Sequence, residues 1–137
     1  MNIEAETFIT VQFYDLDPMN IVWHGNYIKY LEAARCDLLA KIGYDYDSMR
    51  EDKIAYPIAN MELKFIKSCV FNQKLRVVSR LEEIEPCMII KYIIFDADTG
   101  EKLFKAKSMQ ICVDTSTGES VYSAPKRLKD KLACCNL

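Results

Sequence analysis

Between Phe13 and Arg35 the chain reads FYDLDPMNIVWHGNYIKYLEAAR. This run sets Asp15 and Asp17 two residues apart and puts the only histidine, His24, seven residues beyond the second acid. A carboxylate can attack a carbonyl or take a proton from water, and an imidazole can carry a proton near neutrality. The same residues have plainer uses. Asp beside Pro18 begins turns without any chemistry, and a histidine at a helix start is commonplace. A D-x-D pair could also ligate a metal, but no histidine or acid cluster elsewhere completes a coordination shell, so no metal is expected.

The residues after the turn sharpen the chemical reading. Trp23, Tyr27, Tyr30, Leu31, Ala34, Leu38 and Ile42 recur every three or four residues, the pattern of an amphipathic helix ended by Gly43. Lys29, Glu32 and Arg35 fall mostly on its other side, where Glu32 and Arg35 can pair at i,i+3. The first N–H groups of that helix, near Trp23 to Asn26, lack helical partners and carry the positive end of the macrodipole. Gly25 there leaves room for another group to approach the backbone. Such an end polarises a carbonyl whose oxygen becomes negative in the transition state. A carboxylate in the preceding turn would then face it, which is an acyl-transfer arrangement.

The elements that must hold this arrangement are mostly strands. Thr7, Ile9, Val11 and Phe13 share the apolar side of a first strand; DLDPMN is a turn; YDYDSMREDK is a short helical turn or loop. Strands are expected over Ile54–Lys67, Lys74–Glu85, Cys87–Ala97 and Lys102–Asp114. The third is apolar on both faces apart from Lys91, as a strand covered on both sides would be. The apolar phase of the last slips between Ala106 and Met109, which suggests a bulge. Pro125–Leu132 reads as a short terminal helix. Strand, long helix and four meandering strands make an α+β domain spanning residues 1–137, whose antiparallel sheet curls round the helix. Its exposed edges call for a second copy.

DLDPMNIVWHGNYIKYLEAAR resembles the N-terminal signature of the 4-hydroxybenzoyl-CoA thioesterase family, through Asp15, Asp17, Ile21, Val22, Trp23, His24, Asn26, Tyr27, Glu32 and Arg35. The resemblance implies a hotdog fold, a five-stranded antiparallel sheet wrapped around one long central helix, and hydrolysis of acyl-CoA with no cofactor. It implies Asp17 as catalytic nucleophile or general base and the backbone N–H near His24 as the group that polarises the carbonyl. The His24 imidazole would orient substrate or assist the leaving thiol. Trp23, Tyr56 and Ile58 read first as core residues; because the family's dimer holds substrate between subunits, they are also, together with Gly25 at the helix start, the expected substrate-binding residues. Two departures stand out. Asn20 replaces the usual turn glycine, and asparagine tolerates positive φ. Glu85 and Pro86 occupy the place where some members carry arginines for the CoA phosphates, which leaves an acyl-carrier-protein thioester open as the substrate.

Bulk properties narrow the partners. A net charge of −2 supplies no basic excess for a phosphate backbone, so no nucleic acid is expected. The N-terminus lacks the basic region of a signal peptide, no apolar run is long enough to span a membrane, and six scattered cysteines fit a reducing compartment. A cytoplasmic homodimer or homotetramer is the resulting expectation. Two other functions share this fold: a hydratase or dehydratase acting on acyl thioesters, and a non-catalytic acyl-thioester binder.

Overall fold

The computed structural model describes residues 3–135. Its organising element is α1 (Asn26–Ile42), 17 residues whose buried stripe includes Tyr27, Tyr30, Leu31, Ala34, Leu38, Leu39 and Ile42. Gly43 ends the helix at φ 89°, left-handed backbone that a side chain would strain, and its N–H returns to the Leu39 and Ala40 carbonyls. Two residues depart from the expected pattern. Trp23 precedes the helix and is 49 % exposed. Arg35, expected among the solvent-facing charges, is buried. Its guanidinium reaches Gln110 Oε1 at 3.0 Å and Glu32 at 2.9 Å, so the charge is paired where it enters the protein.

Around α1 the chain forms β1 (Ile3–Thr10), a 3-10 turn (Phe13–Asp15), α2 (Tyr46–Glu51), β2 (Ile54–Ala55), β3 (Ile58–Phe65), β4 (Lys74–Glu83), β5 (Met88–Asp96), β6 (Lys102–Gln110), β7 (Cys112–Asp114), β8 (Ser120–Val121) and α3 (Lys126–Cys135). Five strands pair antiparallel in the order β1-β4-β5-β6-β3, and β2, β7 and β8 make a small second sheet. The meander therefore holds for β4, β5 and β6 only. β3 crosses the sheet to pair with β6, and β1 adds outside β4. The single strand expected from Ile54 to Lys67 breaks at Tyr56 and Pro57, where proline supplies no ladder N–H.

Alternation along each strand decides what faces α1. Ile3, Ala5, Leu75, Val77, Ile90 and Ile94 point inward and are buried with the helix stripe in one core. β1 starts four residues before Thr7 and stops at Thr10, so Phe13 leaves the apolar face and stands 76 % exposed. β5 is covered on one side only, because Lys91 on its outer face is exposed. The phase slip in β6 has a different origin from the one expected. Ser108 and Gln110 are the inward, buried residues there, and Met109 points outward. The register irregularity between β5 and β6 lies instead at Ile94/Phe95, which pair with Phe104 and Lys102 and leave Leu103 as the extra residue.

Candidate active site

Asp15 ties the turn between β1 and α1 to the helix, while Asp17 shapes the turn itself. Asp15 is buried, and its Oδ2 accepts from the Gln12 N–H at 2.9 Å and from the Tyr30 hydroxyl at 2.8 Å. Burial, and then the carboxylate beside it, push the Tyr30 hydroxyl far above its ordinary range. The Asp15 carbonyl accepts from the Trp23 N–H at 2.9 Å and from the buried Asn26 amide at 2.8 Å. One residue thus fastens the turn to the first two turns of α1.

Asp17 occupies the loop that this frame holds open. Its N–H donates to the Ile21 carbonyl at 2.8 Å, its own carbonyl accepts from Asn20, and Leu16 bridges Val22. Asn20 takes φ 63°, the left-handed conformation that asparagine tolerates in place of glycine. Asp17 Oδ1 accepts from the Met19 N–H at 2.8 Å, an Asx turn that orients the carboxylate. Oδ2 has no hydrogen-bond partner among the described residues, and the residue is half-buried. A carboxylate with one oxygen tethered and the other free is oriented for nucleophilic or base chemistry.

The helix start supplies the complementary charge. The Asn26 N–H donates to the Trp23 carbonyl, whereas the N–H groups of His24 and Gly25 have no acceptor among the described residues. These are orphan donors at the positive end of α1. His24 is exposed, with its ring 5.1 Å from the Trp23 indole. Gly25 has a use other than the expected one. A Cβ there would lie 2.2 Å from the Trp23 ring, so the group occupying the space above this glycine is the chain's own indole.

Behind the turn, Tyr27 locks the helix to the sheet. Its ring stacks on Phe104 at 4.7 Å and meets Phe65 edge-on at 5.1 Å, and its hydroxyl accepts from the Cys69 N–H. The Cys69 carbonyl accepts from the Val22 N–H at 2.9 Å. The 69–72 loop is therefore the third wall of the region, with Phe71 edge-on to Phe13 at 6.1 Å. Only contacts between distant segments reveal this wall, and sequence spacing carries no sign of it.

Trp23, His24 and Gly25 meet at the start of α1, and Asp17 lies in the turn that pairs with residues 21–23 just ahead of them, but Tyr56 and Ile58 do not join them. β3 runs antiparallel to α1. Its Phe65 end packs on Tyr27 in the first turn, and Ile58 pairs with Gln110, which holds Arg35 in the third. The ends of β3 stand roughly 23 Å apart at about 3.3 Å per residue. Tyr56 is buried near Cys112 and Tyr44, its hydroxyl without a hydrogen-bond partner among the described residues, while Ile58 is 41 % exposed. Tyr56 also lines an apolar groove of about 590 Å³ between α2 and the small sheet.

Among the described residues no helix is long and apolar enough to cross a membrane. The chain is 25 % identical to the long-chain acyl-CoA thioesterase FadM of Escherichia coli, over 93 % of its own length and 96 % of FadM. The crystal structure of a DHNA-CoA thioesterase from Staphylococcus aureus has a TM-score of 0.84 at 25 % identity, covering 97 % of this chain and 93 % of that one. A protein from Aquifex aeolicus whose crystal structure carries no functional name is 29 % identical with a TM-score of 0.83, covering 93 % of this chain and 98 % of that one. Residues 11–132 match the family model described as the Thioesterase-like superfamily, and the chain belongs to that superfamily.

Proposed function

We propose that the chain hydrolyses acyl-CoA thioesters, with Asp17 as the reacting carboxylate and the N–H groups of His24 and Gly25 as the oxyanion donors. One observation carries this reading: among the described residues neither Asp17 Oδ2 nor the N–H groups of His24 and Gly25, just ahead of α1, have a hydrogen-bond partner. The thioester carbonyl oxygen would accept from those donors as negative charge develops on it. Asp17 either attacks the carbonyl carbon, forming an anhydride that water then opens, or takes a proton from the attacking water. In both cases the C–S bond breaks and the thiolate leaves to take up a proton. The resemblance of the run around Asp17 to the 4-hydroxybenzoyl-CoA thioesterase signature and the similarity to a long-chain acyl-CoA thioesterase support this assignment.

We also propose that the working site is completed by a second copy. β3 is an edge strand, exposed along nearly its whole length, with Ile58, Leu63 and Phe65 uncovered. Such an edge invites strand addition. Antiparallel pairing of β3 with its own copy would carry Ile58 and the Tyr56 groove of one chain toward the Phe65 end of the other. Tyr56 and Ile58 would then serve the partner's Asp17, although they stand far from their own.

Thiol release from short-chain, long-chain and aromatic acyl-CoAs, with a blank for the protein's own cysteines, tests the activity. Asp17→Asn is expected to lower turnover by about 10²–10⁴-fold. Turnover equal to that of the unsubstituted protein would retire Asp17 as the reacting group. Light scattering at micromolar concentration tests the second copy, and a monomeric mass for an active protein would sink it.

A further inference from the structure

The outer face of the sheet, away from α1, carries a groove of about 370 Å³ lined by Lys64 of β3, Lys91 of β5, and Lys105 and Lys107 of β6, with Glu62 as its only acid. Register makes this arrangement unfavourable for a bare sheet. Lys64 lies directly opposite Lys105, and Lys91 directly opposite Lys107. Like charges facing each other across a ladder destabilise it. Relief within the chain is slight: Glu62 faces Lys107 across the β3–β6 ladder, and Glu82 stands 3.8 Å from Lys91. Lys64 and Lys105 form no ion pair among the described residues. A local charge of +3 is thus concentrated in a protein whose net charge is −2.

We propose that this groove binds a compact polyphosphate. With strands about 4.8 Å apart and alternate residues about 6.6 Å apart, the four lysines root in an area of roughly 10 by 7 Å. That spacing suits phosphates clustered within one small molecule. An extended polyanion fits poorly, because the same face turns apolar at Ile89, Ile93 and Met109, and beyond Lys91 the next cations, Arg80 and Arg76 of β4, are already paired with Glu82 and Glu4 and with Glu6. Lysine ammoniums are suited to this task as mobile point charges that need no fixed fork geometry.

Two sources share this chemistry. One is the nucleotide end of a CoA thioester, and that source rests on the thioesterase reading. Lys64 adjoins Phe65, whose ring packs on Tyr27 at the helix start. Phe65 lies on the opposite face from Lys64, so a flexible ligand held by its phosphates would have to round the Phe65 end of β3 to reach the His24 and Gly25 donors. The other source is a free polyphosphate effector, which needs no thioesterase activity.

Calorimetry with CoA, adenosine 3′,5′-bisphosphate and tripolyphosphate, each against orthophosphate, tests the groove. The unsubstituted protein is compared with Lys105→Gln/Lys107→Gln and, as an independent second variant, Lys64→Gln. Saturable binding that weakens about tenfold or more in the double variant, and further with added salt, is expected. Loss of like-charge pairs leaves the thermal midpoint unchanged or higher, so weakened binding is not a folding defect. A KM for acyl-CoA that rises with kcat retained assigns the phosphates to the substrate. Tripolyphosphate binding lost in the variants while KM holds assigns them to an effector. No saturable binding by any probe, or equal binding by both variants and the unsubstituted protein, overturns the proposal whether or not acyl-CoA is hydrolysed.

Discussion

The Tyr30 hydroxyl donates to Asp15 Oδ2 at 2.8 Å, and this buried bond separates the two acids of the turn into different roles. Asp15 holds the helix to the turn; Asp17, two residues on, keeps an oxygen without a partner among the described residues. Asp15→Ala leaves the Tyr30 hydroxyl and the Gln12 N–H unpaired, and it is expected to cost about 2–4 kcal/mol in urea unfolding. Asp17→Asn keeps an acceptor for the Met19 N–H, so its unfolding free energy should stay within about 0.5 kcal/mol of the unsubstituted protein. The opposite pattern of stabilities would exchange the two roles.

His24 separates backbone from side chain. If the N–H groups of residues 24 and 25 polarise the carbonyl, the imidazole is secondary. His24→Phe should then lower kcat by no more than about tenfold, against the 10²-fold or greater loss expected for Asp17→Asn. A loss in His24→Phe as large as in Asp17→Asn would make the imidazole an obligatory acid or base.

Gly25→Ala has a spectroscopic readout, because Trp23 is the only tryptophan and its ring lies over that glycine. The added methyl must displace the indole toward water, so emission should shift to the red. The unfolding free energy should change by less than about 1 kcal/mol, since the ring is half-exposed already and Gly25 has ordinary helical backbone angles. An unshifted spectrum would show that the indole does not rest on Gly25.

These side chains also show what local sequence carries and what it does not. The helix from Tyr27 to Ile42 is legible because its apolar residues recur at the helical period and Gly43 stops it. The pairing of Glu32 with Arg35 is legible for the same reason, since it depends on near neighbours, whereas the positive φ of Asn20 is legible only because the family resemblance puts a glycine at that place. The burial of Arg35 is not, because its partner Gln110 lies 75 residues away, and a charge that far from its acceptor looks solvated. Ser108 and Gln110 mislead in the same direction, since two inward polar residues in β6 imitate a bulge. The crossing of β3 to β6 leaves no local mark, yet it decides that Tyr56 and Asp17 stand at opposite ends of α1. Within the candidate site, the Asp17 turn and helix start are readable, while the Cys69 wall is not.

Acid unfolding should report on the turn that closes the β5–β6 hairpin. Asp96 accepts from the Gln73 amide at 2.8 Å and from the N–H groups of Asp98 and Thr99 at 2.8 and 2.9 Å. Those bonds, the Gln73 amide first, hold its carboxyl below the ordinary carboxylate range. The folded form therefore binds this proton less readily than the unfolded chain does. The contribution of Asp96 is complete above the unfolded carboxylate pKa of about 4, and it fades as pH falls through the lower folded value. Asp96→Asn should lower stability at pH 7 and make the curve between pH 5 and pH 3 shallower, so the two proteins converge on acidification. Urea midpoints measured across that range check this, and parallel curves would mean that Asp96 binds its proton equally in both states.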